Sequence, residues 1–213
     1  MKNFLVYLFA VAGAILLLTL FFSKEPGQNK QSSENTDQPV PPGKYSSPPP
    51  MSIDQSKSYS AEVVTNKGSF TIDLFAKEVP VAVNNFVFLS RENFYNGVIF
   101  HRIIKDFMVQ TGDPKGDGTG GPGYKFDDES ITRDYNRGIV AMANSGKDTN
   151  SSQFFIMTKD TDLPKNYVIF GQVSKGIETI DKIANVEVEK NSLGELSKPK
   201  EKVSINKITI FEK

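Results

Sequence analysis

The chain has 213 residues and 38% hydrophobic content, enough for one sizeable domain with a real core. Lysine plus arginine equals aspartate plus glutamate at 25 each, so no basic footprint for nucleic acid exists and charge selects no partner. With no cysteine and one histidine, His101, the chain has no disulfide framework, thiol nucleophile, cysteine-ligated metal or histidine-rich zinc site.

Residues 4–22 form an uncharged stretch of 19, rich in Leu, Phe, Val and Ala, behind Met1, Lys2 and Asn3. At about 1.5 Å per residue it matches the ~30 Å hydrocarbon layer, so it is read as an N-terminal transmembrane anchor, 1–23. A cleaved signal peptide is the alternative, although the stretch ends in Leu20-Phe21-Phe22-Ser23 rather than small residues. Lys2 favours a cytoplasmic N-terminus, which puts the rest of the chain outside the cytoplasm. Residues 24–58, with Pro39, Pro41, Pro42 and the run Pro48-Pro49-Pro50, cannot build a core and read as a disordered, partly polyproline spacer.

Globular patterning begins at Tyr59 and is expected to run through 213. Ala61–Thr65 and Ser69–Phe75 around Asn66-Lys67-Gly68 predict a hairpin. Pro80 opens a helix in which Val83, Phe86, Val87 and Leu89 recur at helical spacing. Val98 to Asp113 predicts a second hairpin, turning at Lys105-Asp106. Its alternation places Phe100, Arg102 and Ile104 together, with Met108 and Gln110 converging on them, a mixture that suits a small binding site better than a plain surface or core. The glycine-rich segment 113–124 follows. Strands are predicted over 138–143, 153–158 and 168–173, a short helix over 177–186, a charged loop over 187–202 and a last strand from Val203 to Ile210. Many short strands with two helices point to a mainly β protein built as a closed antiparallel barrel.

Gly116-Asp117-Gly118-Thr119-Gly120-Gly121 has the letters of a dinucleotide fingerprint, but Pro122-Gly123 follows where a phosphate-binding helix must start. The same loop lacks the ligands of a calcium loop, with Lys115 and Tyr124 at ligand positions. Asp127, Asp128 and Glu129 read as a solvated acidic turn. His101 points away from Arg102 in a pleated strand and no motif pairs it with a nucleophile, so it reads as structural. In Gln153-Phe154-Phe155-Ile156-Met157, Phe154 and Ile156 suit a core, whereas Gln153, Phe155 and Met157 share the other face. A second strand with an amide beside large apolar groups strengthens the site reading.

These segments resemble the cyclophilins, peptidyl-prolyl cis-trans isomerases: Phe100 to Asp113 (FHRIIKDFMVQTGD), Gly118 to Gly121 (GTGG), Met142 to Ile156 (MANSGKDTNSSQFFI) and Val168 to Val173 (VIFGQV), in family order across 59–213. The resemblance implies a closed eight-stranded antiparallel barrel capped by two helices, with a substrate groove on its outer face and no cofactor. It implies catalysis by Arg102 with Gln110. It implies a proline pocket of Phe107, Met108, Phe155 and Leu163, and a groove of Ala143, Asn144, Gln153 and Tyr167 holding the peptide. The implied function is isomerisation of X-Pro bonds in folding extracytoplasmic proteins. A non-catalytic proline-peptide-binding chaperone or scaffold using the same groove is the alternative. Asp162 stands where many members carry a tryptophan, and Tyr167 where they carry a histidine, so weak binding of the cyclic peptide cyclosporin is implied.

Overall fold

A computed structural model of the chain describes residues 41–213; the expected anchor, 1–23, and spacer residues 24–40 lie outside the described residues. Among the described residues no helix is long and apolar enough to cross a membrane.

Strands β1 (Tyr59–Thr65) and β2 (Gly68–Leu74) form the predicted hairpin. The turn closes through the Thr65 hydroxyl, which donates to the Gly68 carbonyl at 2.7 Å, and Gly68 takes φ +129°, a conformation glycine adopts without penalty. Helix α1 (Pro80–Arg91) starts at proline, where no helical hydrogen bond is lost. Strands β3 (Arg102–Ile104) and β4 (Met108–Thr111) turn through Asp106 at φ +58°. Then come β5 (Ile139–Met142), β6 (Phe154–Met157), β7 (Ile169–Lys175), helix α2 (Ile177–Ala184), β8 (Val188–Lys190), β9 (Leu196–Pro199) and β10 (Ile205–Glu212). The charged stretch expected as a loop over 187–202 thus contains a small hairpin, β8–β9, paired Val188 with Pro199.

Eight strands join in the order β10-β1-β2-β7-β5-β6-β4-β3, every pair antiparallel. The expected closed barrel is corrected to an open sheet, half a barrel, because edge strands β3 and β10 form no ladder with each other. After α1 the chain runs through turns at 92–97, with Asn93 at φ +57° and Gly97 at φ +77°, so little extended chain is left to pair. The edges meet only in an isolated bridge between Ile99 and Ser204 and backbone hydrogen bonds around it, including Phe100 N–H to the Val203 carbonyl at 2.9 Å.

One face of the sheet and both helices enclose the main core. Phe86, Tyr95, Phe154 and Phe170 interlock there with ring centroids 5.2 to 6.0 Å apart. Each such ring contributes roughly 1.5–3 kcal/mol by leaving water. Phe100 belongs to this core rather than to the face of Arg102, since residues 98–101 precede β3 and do not follow its pleat. The ordered chain starts ahead of Tyr59. Within residues 41–58, which composition assigns to the spacer, Ile53 is buried in the core. Asn84 of α1 accepts from the Ser52 N–H at 2.8 Å and donates to the Pro50 carbonyl at 3.1 Å. Of the solvated acidic turn expected over Asp127 to Glu129, Asp127 is exposed, but Asp128 accepts from the Asp148 N–H at 3.0 Å and from Asn150 at 2.7 Å. The Glu129 carboxylate accepts the N–H groups of Val81 and Ala82 at 3.0 and 2.8 Å, capping α1, and burial raises its pKa.

Candidate active site

The pleat separates β6 cleanly: Phe154 and Ile156 face the main core, while Phe155 and Met157 face outward into a second apolar cluster. Register does the rest. Arg102 pairs with Gln110, Gln110 with Phe155 and Phe155 with Ala141, so these four form one row across β3, β4, β6 and β5. The outer cluster buries Met108, Tyr135, Ile139, Ala141, Phe155, Met157 and Ile169, and Phe107, Leu163, Tyr167 and Ala143 pack against it half-buried. All four residues expected for the proline pocket therefore meet on one patch outside the main core.

A directed relay of side-chain amides borders the patch. Arg102 Nη1 lies 3.5 Å from Gln110 Oε1 and 3.9 Å from Met108 Sδ. Gln110 Nε2 donates to Gln153 Oε1 at 3.0 Å, and Gln153 Nε2 donates to the carbonyls of Gly118 and Gly120 at 3.1 and 2.9 Å. Buried Gln153 is thus held by the glycine-rich segment, which buried Asp113 winds in turn. Its carboxylate accepts the N–H groups of Lys115, Asp117 and Gly118 at 2.7, 3.2 and 2.6 Å. A Cβ at Gly120 would stand 2.0 Å from Asp113 Oδ1, so only glycine fits there. The segment is a scaffold for an amide, not a phosphate cradle.

Ala143 N–H donates to the Gln153 carbonyl at 2.9 Å, and Asn144 donates to the Asn166 carbonyl at 2.7 Å, which places both along the same groove. Tyr167 stacks edge-on against Phe155, with centroids 5.4 Å apart. Tyr135 locks Tyr167: its hydroxyl donates to the Tyr167 carbonyl at 2.9 Å and accepts the Tyr167 N–H at 3.0 Å. Asp162 is exposed beside Leu163. Every expected site residue therefore lies on or beside one groove. Neither ring nitrogen of His101 has a hydrogen-bond partner among the described residues, and burial lowers its pKa. A neutral imidazole without a partner is poorly placed for acid-base work.

Two contributors escaped the sequence reading. Tyr135 offered no local signal, being an aromatic in a polar segment. Glu195, in the β8–β9 hairpin, holds Arg102 with two hydrogen bonds: Arg102 Nε to Oε2 and Nη2 to Oε1, both 2.7 Å. That guanidinium keeps the carboxyl ionised, with its pKa depressed to about 2.

The family model described as "Cyclophilin type peptidyl-prolyl cis-trans isomerase/CLD" matches residues 60–210. A probable peptidyl-prolyl cis-trans isomerase B of Mycobacterium tuberculosis is 38% identical over 201 residues, covering 86% of this chain and 64% of the relative. Human peptidyl-prolyl cis-trans isomerase-like 3 is 43% identical over 157 residues, covering 71% of this chain and 95% of that protein. The chain thus spans less than two thirds of the mycobacterial relative but nearly all of the human one. A crystal structure of a Cryptosporidium parvum cyclophilin type isomerase in the presence of the dipeptide Ala-Pro superposes with a TM-score of 0.66 at 38% identity, covering 71% of this chain and 98% of that one. With its family model matched over 60–210, this chain belongs to the cyclophilin-type peptidyl-prolyl cis-trans isomerase family.

Proposed function

We propose that the chain catalyses cis-trans isomerisation of X-Pro bonds, with the prolyl ring seated on Phe107, Met108, Phe155 and Leu163 and Arg102 acting on the rotating bond. The observation that carries this reading is a charged donor at the rim of an apolar cluster, with Arg102 Nη1 3.9 Å from Met108 Sδ. Rotation must break amide resonance against a barrier of about 18–20 kcal/mol, and it moves no proton and breaks no σ bond. In the twisted state the prolyl nitrogen regains its lone pair. An N–H donated to that nitrogen is stronger in the transition state than in either planar ground state, which is the condition for catalysis. Burial of the ring fixes one side of the bond while the groove formed by Gln110, Ala143, Asn144 and Gln153 holds the neighbouring backbone. The C. parvum neighbour, solved in the presence of Ala-Pro, supports proline peptides as the ligand class.

The same reading gives the enzyme a place and a drug response. The uncharged stretch 4–22 supports tethering to a membrane, with the domain serving the folding of extracytoplasmic proteins. Fractionation of cells tests it: the chain should sediment with membranes and be cut by protease added outside, and a soluble form beginning near Ser23 would overturn the tether. Exposed Asp162 supports weak cyclosporin binding, because it offers no apolar ring to the cyclic peptide. Titration calorimetry should give a higher affinity for Asp162→Trp than for the native chain.

Activity itself is tested by exchange NMR on an Ala-Pro-containing peptide. The full-length chain should speed interconversion in proportion to its concentration. Peptide binding without faster exchange would instead identify a proline-binding scaffold.

A further inference from the structure

Arg102 is gripped from the side opposite the groove. The groove lies toward β4, β6 and β5, whereas Glu195 approaches from the turn between β8 and β9, across the free edge of the sheet. The carboxylate takes the Nε and Nη2 hydrogens in a fork of two 2.7 Å bonds. Nη1 is left pointing at Gln110 and Met108. A guanidinium has five donors in a rigid plane, so fixing one edge fixes the direction of the other.

The hairpin is built to present this carboxylate. Asn191 Oδ1 accepts the N–H groups of Leu193 and Glu195 at 2.9 and 3.0 Å, and the Asn191 N–H donates to the Glu195 carbonyl at 2.8 Å. Gly194 supplies φ +82° at the tip. The Glu195 backbone is therefore pinned, and its side chain reaches Arg102 from a rigid turn.

We propose that Glu195 is a positioning residue for the isomerisation, orienting the Arg102 guanidinium so that Nη1 faces the prolyl nitrogen. This rests on the reading of Arg102 given above. The charge of the pair sums to zero, and that suits the chemistry. A twisting amide localises a lone pair without gaining net charge, so it needs a correctly aimed N–H dipole more than a free cation. Without the fork, Arg102 at the sheet edge regains its rotamers and must be ordered again at each turnover.

The test is Glu195→Gln in the full-length chain, followed by exchange NMR across substrate concentrations spanning KM. The expected result is a fall of about 3- to 10-fold in kcat with KM within about twofold, since aim is lost while the proline patch stays intact. In 15N spectra the Arg102 Nε–H signal, protected by the fork, should broaden or move upfield. Asn191→Ala, which frees the turn without touching Arg102, should lower kcat in the same direction, and Leu193→Ala at the exposed tip should not. Arg102→Lys should be impaired, and adding Glu195→Gln to it should cause no further loss. An unchanged or raised kcat in Glu195→Gln, with Arg102→Lys still impaired, overturns the proposal and leaves the Arg102 reading standing. Full activity in Arg102→Lys overturns both.

Discussion

At the scale of single residues, the site combines one permanent cation with neutral amides, so its chemistry should not titrate near neutrality. A guanidinium is a permanent cation at any ordinary pH, and Glu195, held at about 2, stays ionised throughout that range. Catalysis should be flat between about pH 6 and 9. Stability should behave differently because of His101. Burial lowers its folded pKa below the ordinary 6.5, so the folded chain keeps it neutral while the unfolded chain takes up a proton. The stabilisation is full above 6.5 and is lost as pH falls from there toward the folded value. Urea denaturation at pH 7.5 and 5.5 should show a loss in the native chain that His101→Phe largely abolishes. Glu195 acts with the same sign but in a lower window: its contribution is full above the ordinary 4.5 and disappears only as pH falls toward about 2, outside the range compared. Equal losses in both chains would mean that some other group drives the change.

Elements explain what local pattern can and cannot reveal. Strand β6 was readable residue by residue because Phe154 and Ile156 alternate with Phe155 and Met157, and period-two alternation maps directly onto two faces. Strand β4 was readable for the same reason. Hairpin β8–β9 was not, since Glu187 to Lys202 is charged, carries Pro199 and buries little; its order comes from Asn191 and from docking on Arg102, 93 positions away in sequence. Phe100 misled because alternation was extended past the true start of β3. The glycine-rich segment gives an element-scale test. Gly120→Ala would force a Cβ to within 2.0 Å of Asp113 Oδ1, so the winding around that carboxylate must shift. Denaturant titration should show a loss of about 1–3 kcal/mol. KM should also rise, because Gln153 loses the carbonyls that hold it; an unchanged KM would separate the segment from the groove.

Across the whole molecule, the sheet supplies two apolar surfaces and uses them differently: one closes over α1 and α2 as the core, the other is left as the patch beside Arg102. The mainly β class and the outer-face groove followed from the sequence and its family resemblance. The open edge did not, because it depends on how residues 92–101 turn, and neither did the docking of residues 41–58, whose proline-rich composition hides Ile53. A chain starting at Tyr59 should therefore be less stable than one starting at residue 41. Ile53→Ala alone should cost about 2–4 kcal/mol by denaturant titration, given its burial at 7% exposure. Equal stability of the two truncations would show that the segment merely rests on the surface. The role of Arg102 as the donor that meets the twisting prolyl nitrogen is tested most directly by exchange NMR on an Ala-Pro peptide with folded, full-length Arg102→Ala. Loss of about 10²–10³ in kcat/KM is expected; retention of native activity would contradict it.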